Sequence, residues 1–202
     1  MLVHGWNGRA LQMDSYVSPL VERGFKVVAL DHKGHGESST RYSSFLEIAR
    51  GTKLVMAHYG DEIHGVIAHS IGCNAVLKAS ESSAKNLKVA VVAPMENFPE
   101  WLEKMRQRIG MNANLFARII SQLEADTELN LREVSTLDYD RLARHSMLMV
   151  HDKFDRINKI SGSYNLQARL PGSALLETEN LGHARILANP EVVRRVIEHM
   201  AG

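Results

Sequence analysis

The sequence predicts an α/β protein, a mostly parallel sheet of about six strands flanked by helices. Three observations carry that reading. Short apolar runs alternate with amphipathic stretches over most of the chain, as in strands joined by crossover helices. The runs are near-continuous Val, Ala and Leu, which suits strands buried on both faces. None is longer than about six residues, far short of the roughly 20 that a membrane-spanning helix needs.

Taken in order, Leu2 and Val3 are the stub of a first strand. Met13, Tyr16, Val17, Leu20 and Val21 recur at helical spacing, and Gly24 ends that helix. Residues 25–30 read as the second strand. Residues 43–59 read as a helix with Phe45, Leu46, Ile48, Leu54, Val55 and Met56 inward, weakened in its middle by Gly51. Residues 63–68 form the third strand and 71–80 the helix after it. Residues 87–93 are a strand that Pro94 stops; residues 147–150 and 174–177 are two more. Pro190 opens a last helix over 191–200.

Residues 95–145 break the rhythm with two or three helical patterns and no strand. Trp101, Leu102, Met105 and Ile109 make one apolar stripe, and Leu115, Phe116, Ile119, Ile120 and Leu123 a second. Fifty residues exceed a simple crossover, so residues 1–202 are expected to form one domain with 95–145 as a small helical cap insertion. Long insertions of this kind tend to sit where binding happens. The cap's Met and aromatic residues suit an acyl pocket and the cap's own core equally.

The 202 residues include 24 Lys and Arg against 23 Asp and Glu, a formal charge of +1. That balance excludes a basic nucleic-acid footprint. A lone cysteine, Cys73, excludes an internal disulfide framework. The first residues lack the basic and apolar regions of a secretory leader. A cytoplasmic protein without a membrane span is therefore expected.

The chemistry centres on Ala68-His69-Ser70-Ile71-Gly72, between an expected strand and an expected helix. A serine there sits on a strained turn that lifts its hydroxyl above the sheet, and its flanks must be small because strand and helix nearly touch. An acid and a base should follow later strands. Val150-His151-Asp152-Lys153-Phe154-Asp155 supplies the acid and Asn180-Leu181-Gly182-His183 the base, both at the edge where open α/β sheets bind ligands.

With His4-Gly5-Trp6 and Asp31-His32-Lys33-Gly34-His35-Gly36-Glu37-Ser38, these segments make five motifs in order from residue 2 to about 200. The chain resembles the α/β-hydrolase-fold serine hydrolases of esterase or lipase type. Ala68 stands where that family usually has glycine. The resemblance implies that Ser70 is the nucleophile, His183 the general base and Asp155 the acid that orients it. The family places the acid at the second Asp of the Asp-x-x-Asp run, so Asp152 is expected to turn the loop instead. The backbone N–H groups of Trp6 and Ile71 are the expected oxyanion hole. His4, His35, His69 and His151 are expected to brace loops.

No cofactor is implied, and no metal is expected, since HExxH and paired Cys–His spacings are missing. The expected reaction is cleavage of a carboxylic ester or thioester of a small-molecule acyl substrate through an acyl-serine. The alternative is a catalytically weak ligand-binding or interaction module on the same fold. Relative to the family the fold looks N-terminally shortened by two strands, which leaves residues 25–30 as a sheet edge. Two readings of that beginning stand: an internal Met taken as the start, or a short protein whose edge a partner covers, for example as a homodimer.

Overall fold

The computed structural model describes residues 1–95 and 98–202; Glu96 and Asn97, at the start of the expected insertion, lie outside the described residues. Six strands form one sheet: β1 (Leu2–Val3), β2 (Ala29–Leu30), β3 (Gly65–His69), β4 (Lys88–Val92), β5 (Ser146–Asp152) and β6 (Ala174–Thr178). Their order is β2-β1-β3-β4-β5-β6, and every pairing is parallel.

Strands β3, β4 and β5 are apolar along their middles because each face has its own core. Val66, Ala68, Val89, Val91, Met147 and Met149 point to one side. Ile67, Ala90, Val92, Leu148 and Val150 point to the other. This is the period-two alternation of a pleated strand, with both faces covered by helices. On the second face lie a 3₁₀ segment (Ala10–Tyr16), helix α1 (Val17–Glu22) and the C-terminal helix described below.

Helix α2 (Phe45–Tyr59) starts where the Ser44 hydroxyl accepts from the Glu47 N–H. It packs on α3 (Ile71–Ser80), the helix that leaves β3. The Cys73 thiol of α3 is fully buried and reaches the carbonyls of Ala68 and Val92 at 3.3 and 3.5 Å, spanning β3 and β4.

Residues beyond β4 form α4 (Phe98–Arg108), α5 (Ala113–Thr127), α6 (Leu131–Ser135) and α7 (Tyr139–Leu142). Asn112, Asn130 and Asp138 cap the last three, each side-chain oxygen accepting from backbone N–H groups of the first turn. Phe98 and Val134 pack with Phe45, Ile48, Ile71 and Ala75 in a third cluster. Leu102 and Leu123 border that cluster, whereas Trp101, Ile109, Leu115 and Ile119 remain exposed. The two stripes are thus split between core and surface.

After β5 comes α8 (Ser161–Arg169), after β6 the four-residue α9 (Gly182–Arg185), and finally α10 (Pro190–Ala201), capped by Asn189 with Pro190 in its first turn. Two differences from the sequence expectation have plain causes. The strand expected over 25–30 is reduced to Ala29–Leu30, because β1 gives it only two residues to pair with; Val28 closes the ladder by accepting from the Leu2 N–H at 2.7 Å. Helix α8 was not expected, since its Ser-Gly-Ser opening carries a turn signal and its apolar face is narrow. Among the described residues no helix is long and apolar enough to cross a membrane.

Candidate active site

The strand order places the site. The chain runs from β1 to β2 on one side and then to β3 on the other, so the loops after β1 and β3 leave the sheet side by side. Such a switch point opens a crevice at the C-terminal edge of parallel strands. Gly5 and Trp6 follow β1, and Ser70 follows β3.

Ser70 has φ +54°, a left-handed conformation that a non-glycine residue adopts only at a cost. Its position is held from outside: its N–H donates to the Val92 carbonyl at 3.0 Å. The turn also demands bare backbone around it. A Cβ on Gly72 would lie 2.5 Å from the His4 carbonyl oxygen, and one on Gly5 would lie 2.9 Å from the Ser70 Cβ. Both glycines let the β1 loop press against the turn. Ser70 stands at the N-cap of α3, yet its hydroxyl makes no capping bond.

That hydroxyl faces His183 instead, with Oγ 3.0 Å from Nε2. On the other side of the ring, Nδ1 lies 2.7 Å from Asp155 Oδ2. A carboxylate can only accept, so Nδ1 carries the proton and Nε2 is left to accept from Ser70. Asp155 is buried, which on its own would raise its carboxyl. The rings of His151, 3.6 Å away, and His183, together with the Ile157 N–H, outweigh burial and hold it well below the usual carboxylate range. The N–H groups of Ile157 and Asn158 donate to Oδ1 at 2.8 and 3.0 Å, so both oxygens are engaged.

The neighbouring groups tie the loops together. Asp152 lies fully buried at the end of β5 and accepts from the Phe154 N–H, the Thr178 hydroxyl and the Leu181 N–H, at 2.9–3.0 Å. It fastens the loop of Asp155 to the loop of His183. Burial would raise its carboxyl as well, but these bonds together lower it. His151 donates from Nε2 to the Asn158 carbonyl at 3.0 Å and accepts at Nδ1 from the Ser163 hydroxyl at 2.7 Å. His69 donates to the His183 carbonyl at 2.9 Å. His4 donates to the Gly5 carbonyl at 2.7 Å and accepts the His32 N–H at 3.2 Å, while the His32 ring returns a bond to the His4 carbonyl at 3.1 Å.

Ile71 follows Ser70 directly, and Trp6 follows Gly5, the residue that packs against Ser70; among the described residues neither N–H donates to a backbone carbonyl in a turn or loop. Beside His183 an open depression of about 580 Å³ is lined by Phe154, Arg156, Ile157, Leu181 and Arg185. Among the described residues no three His, Cys, Asp or Glu side chains are grouped to hold a metal ion. Sequence reasoning missed Asn158, which is buried against Ser70 and Asp155. An asparagine among loop residues carries no periodicity that would have found it.

A family model described as serine aminopeptidase, S33, matches residues 1–145. The chain belongs to this hydrolase family. A non-heme haloperoxidase of Rhodococcus erythropolis is 32% identical over 83 residues, which cover 41% of this chain and 27% of that protein. The chain thus spans little more than a quarter of the length of that relative. Among solved structures, the ydeN gene product of B. subtilis is 16% identical with a TM-score of 0.68, covering 100% of this chain and 97% of that one. An esterase of Pyrococcus furiosus is 19% identical with a TM-score of 0.63, over 98% of this chain and 80% of the other. The fold is that of the α/β-hydrolases, and the family is one of hydrolases.

Proposed function

We propose that the protein is a serine hydrolase that cleaves a carboxylic ester or thioester through an acyl-serine intermediate. The observation that carries this reading is the unbroken line from Ser70 Oγ through the His183 ring to Asp155, with steps of 3.0 and 2.7 Å. The esterases among the structural neighbours are in keeping with it.

In this reading Ser70 Oγ attacks the substrate carbonyl carbon as its proton passes to His183 Nε2. The carbonyl oxygen takes up negative charge opposite the N–H groups of Trp6 and Ile71, helped by the positive end of α3. The carbon–leaving-group bond then breaks, and His183 hands its proton to the departing alkoxide or thiolate. Water, deprotonated by the same nitrogen, attacks the acyl-serine and releases the acid with Ser70 restored. Asp155 holds the ring in its Nδ1–H tautomer and stabilises the imidazolium. In this reading helices α4 to α7 serve as the cap insertion.

The test is a fluorophosphonate probe together with turnover of p-nitrophenyl esters of graded acyl length. Stoichiometric labelling at Ser70, with turnover lowered by several orders of magnitude in Ser70→Ala, is the expected result. Folded protein that takes no label and turns over no ester would leave the binding-module reading in its place.

A further inference from the structure

We infer that Asn158 is a further catalytic residue, its carboxamide donating to the Ser70 oxygen while that oxygen carries charge. The inference rests on the acyl-serine reading above.

Asn158 lies between β5 and α8 and is 4% exposed. Its Nδ2 donates to the Ala93 carbonyl at 2.9 Å, and an acceptor there fixes which end of the carboxamide is nitrogen. Ala93 itself has φ +52°, just past the end of β4. The same Nδ2 has a second hydrogen, and it faces Ser70 Oγ at 3.5 Å. The main chain clamps the residue from both sides: its N–H donates to Asp155 Oδ1 at 3.0 Å and its carbonyl accepts from His151 Nε2 at 3.0 Å. One residue thus touches the carboxylate at one end of the proton path and the hydroxyl at the other.

The hydroxyl of Ser70 has one hydrogen and two lone pairs. The hydrogen goes to His183, one lone pair must attack, and the other is left for a donor. A separation of 3.5 Å is long for a neutral hydroxyl. Hydrogen bonds to a charged oxygen are shorter and about twice as strong, and catalytic ones tighten as the reaction proceeds. Charge gathers on Oγ twice: as the proton leaves for His183 in acylation, and as the Oγ–acyl bond breaks in deacylation before the proton returns. A clamped N–H aimed at Oγ favours both moments over the resting state, as catalysis requires. No proton leaves Asn158 in either.

Two variants test this against a purely structural role. Asn158→Leu removes the donor at similar volume; Asn158→Asp keeps the shape and sets a negative charge toward Oγ. With p-nitrophenyl acetate, Asn158→Leu should lower kcat about 10- to 100-fold with KM within about twofold, at or below the cost of losing one oxyanion-hole donor. Its fluorophosphonate labelling should slow in parallel while its thermal transition stays cooperative. In Asn158→Asp the acid limb of the kcat/KM profile should move up by about one pH unit, because a nearby anion favours the imidazolium. Parental kcat and labelling rate in a folded Asn158→Leu, or an unmoved pH profile in Asn158→Asp, would overturn the inference alone. Failure of the unsubstituted protein to label at Ser70 would overturn it together with the acyl-serine reading.

Discussion

Acidification from about pH 7.5 to about pH 5 should remove roughly 4 kcal/mol from the stability of the fold, because His32 and His69 have nowhere to put a second proton. In both rings Nε2–H donates to a carbonyl, that of His4 for His32 and that of His183 for His69. In both, Nδ1 is buried and unpartnered among the described residues. Burial, reinforced by the neighbouring rings of His4 and His183, lowers His32 from 6.5 to about 3 and His69 to about 4. The unfolded chain therefore takes up protons near pH 6.5 that the folded chain refuses. Both contributions are fully present above that pH and are lost as the pH falls toward the folded values. At about pH 5 each unfolded imidazole has gained about 2 kcal/mol at about 1.4 kcal/mol per pH unit, and the two sites together give the figure above. The measurement is urea denaturation across a pH series, for the parent and for His32→Asn. The substituted protein should lose about half of the contribution of these two rings. A midpoint that stays level between these two pH values, or falls only below about pH 4 where the carboxylates of the unfolded chain take up protons, would refute the reasoning.

Two further outcomes follow from the packing around the turn. Gly72→Ala sets a methyl group 2.5 Å from the His4 carbonyl oxygen and 3.0 Å from Val3 Cγ1. It should cost about 1–3 kcal/mol in denaturation and lower kcat/KM by more than stability alone explains, because the displaced backbone carries Trp6. Asp152→Ala removes the acceptor for Phe154, Thr178 and Leu181 at once. A loss of about 2–4 kcal/mol is expected, with a fall in kcat even at temperatures where the variant stays folded. Ester turnover unchanged in that variant would show that Asp152 does not steady His183.

The strands were legible because their cores are apolar on both sides, and the start of the last helix because Pro190 suits a first turn; the caps Ser44, Asn112 and Asn130 emerge only in the structure. The turn at Ser70 was legible because close approach restricts its flanks to small residues. Strand ends were less so: the length of β2 is set by what β1 offers as a partner, a non-local fact. The alternation that splits Ile67 from Val66 and Ala68 was hidden by strands that are apolar on both faces. Within the site, residues that belong to a motif could be picked out, whereas Asn158 could not. Its role depends on where β4 and β5 bring Ala93 and Ser70 relative to one loop.

Cys73 equips the molecule with its own tell-tale. Burial pushes its thiol far above the ordinary range, and only the ionised thiol attacks a disulfide reagent. A disulfide reagent added to the native protein must wait until the seam between β3 and β4 parts. The speed at which it reacts would then clock how often the ground beneath Ser70 comes loose, without a label being engineered in.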